Sequence, residues 1–225
     1  MNELELLRRI QDLERRAERQ ESHGHGVAGN WTPVAAAWTR TADTTFTVAG
    51  NVTALFPVGA KIKVADTTTK YFYVVSAAYT TLTTVTITGG SDYVLAANPT
   101  AGWISYASSP QGFPQWFNFS TVLSASSGAF TTAASSMKFA VIGKTCHFEG
   151  YVAITTNGTA VGVKLTLPIT SAAGSIVCGR EYAVTGGMLQ GVVSATSTTL
   201  TIYVYEGSTI NGDGRSMLIT GFYRI

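Results

Sequence analysis

Four groups of residues in this 225-residue chain have the types and spacing to do chemistry. His23 and His25 form an H-x-H pair. With three chains sharing an axis there, six imidazoles would surround one transition-metal ion. The same stretch, Ser22-His23-Gly24-His25-Gly26, also reads as a polar hinge, because two glycines in three residues stop a helix. The hinge is the reading carried forward, and no cofactor or metal is expected. Cys146 and His147 are adjacent, but neighbours on a strand point to opposite faces, so they cannot serve each other as nucleophile and base. Glu149 and Glu181 would form a glycosidase pair only if folding set them about 5–10 Å apart; nothing in the sequence favours that over surface charge. Last, Phe113, Trp116, Phe117 and Phe119 crowd a Pro- and Gly-containing stretch. They suit either a sugar platform or a staple packing one domain against the next, and the staple is preferred.

Few other residues invite chemistry. Past the first 30 positions the only acids are Asp43, Asp66, Asp92, Glu149, Glu181, Glu206 and Asp213. No GxSxG elbow, Walker loop, dinucleotide-binding glycine pattern or HExxH is present. The chain therefore reads as a non-enzyme. Cys146 and Cys178 lack CxxC spacing and are expected to be buried or half-buried thiols, not a disulfide.

The elements that would position these residues fall into distinct modules. Charged residues are 12% of the chain, yet 11 of them lie between Glu3 and Glu21. That segment reads as helix. Leu6, Ile10, Leu13, Ala17 and Gln20 follow a 4-3-4-3 spacing, the seam of a coiled coil. In that register Arg9 and Arg16 face Glu14 and Glu21 of a neighbouring chain, opposite in sign, as a parallel assembly requires. So short a helix is marginal alone and points to an oligomer. A single Ile at the a position leans toward two strands.

Beyond residue 30 the 33 Thr of the chain, with Val, Gly and Tyr, dominate and favour strands, since β-branched side chains pack well on a pleated surface. The expected fold is mainly β: a coiled-coil helix over 1–22, a hinge over 23–30, a β-rich collar over 31–117 and a jelly-roll-like sandwich over 118–225. In the collar, 61–65 and 71–75 alternate as a hairpin, 85–88 is a strand, and 93–95 is a further one. In the last module strands are expected at 138–142, 146–154, 161–167, 181–184, 188–193, 199–205 and 217–223, with Asn157-Gly158 as a hairpin turn. The net charge of +2 gives no reason to expect nucleic acid. No apolar run suits a membrane span and no secretory signal is evident, so synthesis in a cytoplasm is expected.

The middle segment resembles a domain of phage and prophage virion proteins. The residues that carry this are Pro57 to Val64, Thr69 to Val74, Val85 to Tyr93 and the closing Gly112-Phe113-Pro114-Gln115-Trp116-Phe117. The last module is similar to the small jelly-roll heads that cap phage fibres, through Gly150 to Ile154, Leu165 to Pro168 and Thr220-Gly221-Phe222-Tyr223-Arg224-Ile225. The resemblance implies a structural protein of a tailed-phage virion, a homotrimeric fibre with a dimer as the other copy number. Its N-terminus would attach to another virion protein, and its head would meet a host receptor such as a surface glycan. A capsid-attached head fibre or decoration protein is the second expectation. A polysaccharide-degrading tail protein is the third and the least supported, because acids are so sparse.

Overall fold

The Thr- and Val-rich alternating runs fold as strands throughout the computed structural model, which describes residues 29–225. The expected coiled coil and the His23–His25 pair lie outside the described residues. Among the described residues the chain is mainly β, with one 3-10 turn at Thr53–Leu55. Its strands form two sheets whose ladders are all antiparallel.

The first sheet holds β1 (Thr32–Val34), β2 (Trp38–Ala42), β3 (Thr45–Ala49), β4 (Lys61–Ala65), β5 (Thr69–Tyr79), β6 (Leu82–Thr88) and β7 (Ala101–Ser105), in the order β1-β7-β4-β5-β6-β3-β2. β1 and β2 are its two edges, yet only Ala35–Ala37 join them. Three residues bridge at most about 14 Å, whereas seven flat strands would hold their edges about 29 Å apart. The sheet must therefore fold back until its edges approach. Trp38 of β2 marks the closure: its ring covers Gly102 of β7, where an added Cβ would sit 2.6 Å from the indole. Inside lie Phe46, Phe72, Val74, Val85 and Ile87, all buried, with Trp38 stacked on Phe46 at 4.4 Å.

The second sheet repeats the device. It contains β8 (Phe117–Phe119), β9 (Leu123–Ser124), β10 (Thr132–Ile142), β11 (Thr145–Thr156), β12 (Val163–Thr166), β13 (Ser175–Glu181), β14 (Met188–Val193), β15 (Thr199–Val204) and β16 (Arg215–Arg224). Their order is β8-β10-β11-β16-β13-β14-β15-β12-β9. The edges β8 and β9 are joined by Ser120–Val122 alone, so nine strands that would span about 38 Å when flat must also fold back. Phe139, Phe148, Val152, Leu165, Leu200 and Ile219 fill the interior. Within this sheet β13-β14-β15 is a meander; β12 returns beside β15 and β16 beside β13, so each completes a four-strand Greek key.

Three expectations are corrected here. Asn157-Gly158 is a turn, and Asn157 Nδ2 donates to the Ala160 carbonyl at 2.9 Å. It is not a hairpin, because β11 pairs with β10 and β16 while β12 pairs with β15 and β9. The strand expected at 181–184 instead runs from Ser175 to Glu181, since the Glu181 carboxylate draws the following N–H groups out of the ladder. Residues 93–95 make only an isolated bridge, Gly89 to Tyr93.

Candidate functional site

Strand alternation decides which side chains reach the seam between the two sheets. In β4, Ile62 and Val64 point into the first core, so Lys61 and Lys63 point outward. Their partners are Tyr73 and Tyr71 on β5, and Ser105 and Trp103 on β7. An outer face that is aromatic and cationic must be covered, and the segment after β7 covers it. Trp31 Nε1 donates to the Gln111 carbonyl at 2.8 Å. Phe113 packs on Tyr73 at 4.9 Å, and Phe117 touches both Tyr73 at 5.3 Å and Phe139 at 5.7 Å.

This aromatic column ties the two sheets together. Tyr73 belongs to the second sheet's core cluster although it sits on the first sheet. Its hydroxyl accepts the Val141 N–H at 3.1 Å, and burial raises its pKa to about 12, so it stays a neutral phenol. Nearby, Ser91 N–H donates to the Asn118 carbonyl at 2.7 Å, and both Asp92 carboxylate oxygens accept from Asn118. Gly90 makes that approach: its φ is +62°, and a Cβ there would lie 1.9 Å from the Asn118 oxygen. Of the aromatic residues grouped from the sequence, Phe117 is fully buried and Phe113 and Phe119 are half-buried. Trp116 departs from them: 42% exposed, it stands at the rim of a cavity instead of packing the seam.

That cavity is about 350 Å³ and is walled by Lys61, Tyr73, Phe113, Trp116 and His147. A second, of about 280 Å³, shares Lys61 and Ser108 with it and is walled further by Tyr106 and Lys144. Lys61 is only 5% exposed. Its Nζ donates to the Ala107 carbonyl at 3.0 Å and lies 5.6 Å from the Phe113 ring and 5.8 Å from that of Tyr73. An ammonium has three donors, so two remain. Among the described residues the ion pairs are Arg40–Asp43, Lys70–Asp66 and Arg215–Glu181, and Lys61 belongs to none of them. Burial holds its pKa below the ordinary lysine value. Lys63 is held differently, between the Trp103 and Trp31 rings at 4.5 and 5.2 Å.

The other residues considered for chemistry are not brought together. Cys146 is buried and its thiol is pushed up to about 12 by burial, while Cys178 is exposed, and both are free thiols. His147 stands on the face opposite Cys146 and lies 5.6 Å from Phe222. Glu149 is exposed on the outside of β11, whereas Glu181 is buried on the inward face of β13. Burial alone would raise the Glu181 pKa. The Thr185 hydroxyl and the N–H groups of Thr185, Val184 and Ala183 outweigh it and bring the carboxyl to about 2. Glu181 is thus a clamp on a turn.

A second surface was not foreseen from the sequence. The outward positions of β16, β13 and β14 carry Phe222, Ile176 and Val192 side by side, since Cys178 pairs with Thr220 and Ile176 with Val192. Four residues along β16, Leu218 and Met188 flank Arg180. Exposure reaches 77% at Ile176, 60% at Phe222, 57% at Met188 and 55% at Leu218. The signal was available: Leu218, Thr220 and Phe222 share one face of β16, the opposite face being Met217, Ile219 and Tyr223. Both faces read as apolar, so alternation alone could not tell core from outside.

No family model, curated protein or solved structure matches this chain.

Proposed function

We propose that the protein is a non-enzymatic structural component of a tailed-phage virion, a trimeric fibre-like appendage built from identical chains around one axis. The observation that carries this reading is the apolar strip of Phe222, Ile176, Val192, Leu218 and Met188 on the outside of the second sheet. These side chains stand in two rows on one face, Phe222-Ile176-Val192 and Leu218-Met188, with Thr220, Cys178 and Gln190 between them, and a chain that works alone rarely leaves so many large apolar side chains of one face in water. Its occupant is a second copy of the chain. Arg180 is the one charge between these residues, so copies placed around an axis bring little like charge together. The sequence pattern of Leu6, Ile10, Leu13 and Ala17, with Arg9, Arg16, Glu14 and Glu21 beside it, is the one a parallel alignment of chains calls for.

The second sheet is assigned within this proposal to the jelly-roll heads: a folded-back antiparallel sheet with two Greek keys sharing a meander is the connectivity such heads use. The N-terminal segment attaches to the particle, and the β body faces the host surface. Immunogold labelling of the particles with antibody to this chain tests the assignment. Label at the tail tip is the expected result. Label on the capsid would favour the head-fibre reading, and particles free of label would overturn the virion assignment.

A further inference from the structure

We propose that the groove between the two sheets, with Lys61 at its waist, binds an acidic oligosaccharide: a pyranose chain bearing a carboxylate. The inference rests on the host-contact part of the reading above and gives that contact a ligand class and a place, which is the seam and not the tips of the head.

Charge comes first. The two cavities that meet at Lys61 and Ser108 are walled by Lys61, Lys144 and His147, and by no Asp or Glu among the described residues. Lys61 is 95% out of solvent and keeps two donors beyond its bond to the Ala107 carbonyl. A buried cation is ordinarily paired, and this one lines a cavity without a counter-charge, so the missing partner is an anion that enters from solvent. Lys144, whose Nζ is held by the Val58 carbonyl at 2.6 Å, adds a second positive group at the far end.

The remaining walls set the rest of the ligand. Trp116 offers an exposed indole face at the rim, suited to the flat apolar face of a pyranose ring. Ser108, Ser109 and Gln115 are exposed there, and among the described residues their side chains make no hydrogen bond within the chain, so they are free for sugar hydroxyls. The volumes, about 350 and 280 Å³, sit near the low end of the range of about 300–1,000 Å³ for ligand sites. Each takes about one sugar unit, with the shared Lys61 between them. A nucleic acid fits less well: two lysines give few phosphate contacts, and binding of that kind needs many.

The test is titration of the full chain with tri-galacturonate, followed by calorimetry and by tryptophan fluorescence, with maltotriose as the neutral control and inorganic phosphate as the bare anion. Binding of tri-galacturonate at least about tenfold tighter than either control is expected. Lys61→Met, which keeps the aliphatic stem, and Trp116→Ala should each weaken it at least about tenfold. If Lys61→Met fails to fold, Trp116→Ala and Lys144→Gln, both at exposed positions, decide the matter. Equal binding of phosphate would reduce the site to a simple anion pocket and overturn the sugar assignment. No binding at millimolar tri-galacturonate, or binding indifferent to all three substitutions, would overturn the site itself. These outcomes are read per chain in solution, so they are separate from the particle labelling that tests the virion assignment.

Discussion

Two outer faces of the molecule share one plan, a sheet folded back on itself by a three-residue link between its edges, but they solve opposite problems. The outer face of β4 and β5 carries Lys61, Lys63, Tyr71 and Tyr73, and the chain buries it under Trp31, Phe113 and Phe117. The outer face of β13, β14 and β16 carries Ile176, Phe222 and Leu218, and the described residues leave it open. A face covered by its own chain is part of the fold. In the proposed assembly, a face of similar apolar character left bare is where copies of the chain meet. Substitutions should therefore unfold the chain at the seam and only separate copies at the strip.

The largest effect on assembly is expected at the strip. Replacing Ile176 with Glu and Phe222 with Arg together should weaken self-association at least about 100-fold, about 3 kcal/mol. The melting transition of the separated chain should shift little, since surface changes usually stay within about 0.5 kcal/mol. Sedimentation velocity and thermal melts read the two effects independently. At the seam the order is reversed. Phe117→Ala should cost about 3–5 kcal/mol of fold stability, the usual range for a buried phenylalanine. Gly90→Ala should cost about 2–4 kcal/mol, of which about 1–2 is the left-handed backbone and the rest the displaced Asn118 carbonyl. Urea unfolding of these two variants would sharpen the contrast, and it would break down if they altered association alone.

Glu181 gives a smaller effect belonging to neither face. Glu181→Gln should cost about 1.5–3 kcal/mol, the range for hydrogen bonds to a charged group. Its folded pKa, about 2, is depressed below the ordinary 4.5. The unfolded chain therefore binds the proton more readily, and the carboxylate's contribution is complete above about pH 4.5. It should fade as pH falls from there toward 2, and the glutamine variant should lack that part of the acid sensitivity in denaturation curves taken at several pH values. The smallest change is expected for Lys61→Met, within about 1 kcal/mol of the parent, because removing a buried cation that lacks a carboxylate partner relieves its desolvation.

Where many of the strands lie along the chain was open to reading because alternation is a local signal. The strands at 61–65 and Thr199–Val204 follow directly from aliphatic residues at every second position, and those at 71–75 and Met188–Val193 from short runs of aromatic, β-branched and aliphatic residues. Pairing partners did not follow, because a turn such as Asn157-Gly158 reports a change of direction and not which strand comes next in the sheet. Glu181 ended its strand through its own carboxylate, which apolar periodicity does not see. At the seam, Phe113, Phe117 and Phe119 stood out as an aromatic cluster. Lys61 did not, since a lysine on an alternating strand looks solvated until the covering segment is placed.

The central claim is that the strip holds copies of the chain together, and light scattering on the full chain tests it most directly. The account predicts a mass close to three times the 23.8 kDa of one chain, falling to that of a single chain when Ile176→Glu and Phe222→Arg are combined. A lone 23.8 kDa species in the parent protein, or an assembly that the double substitution leaves intact, would contradict it.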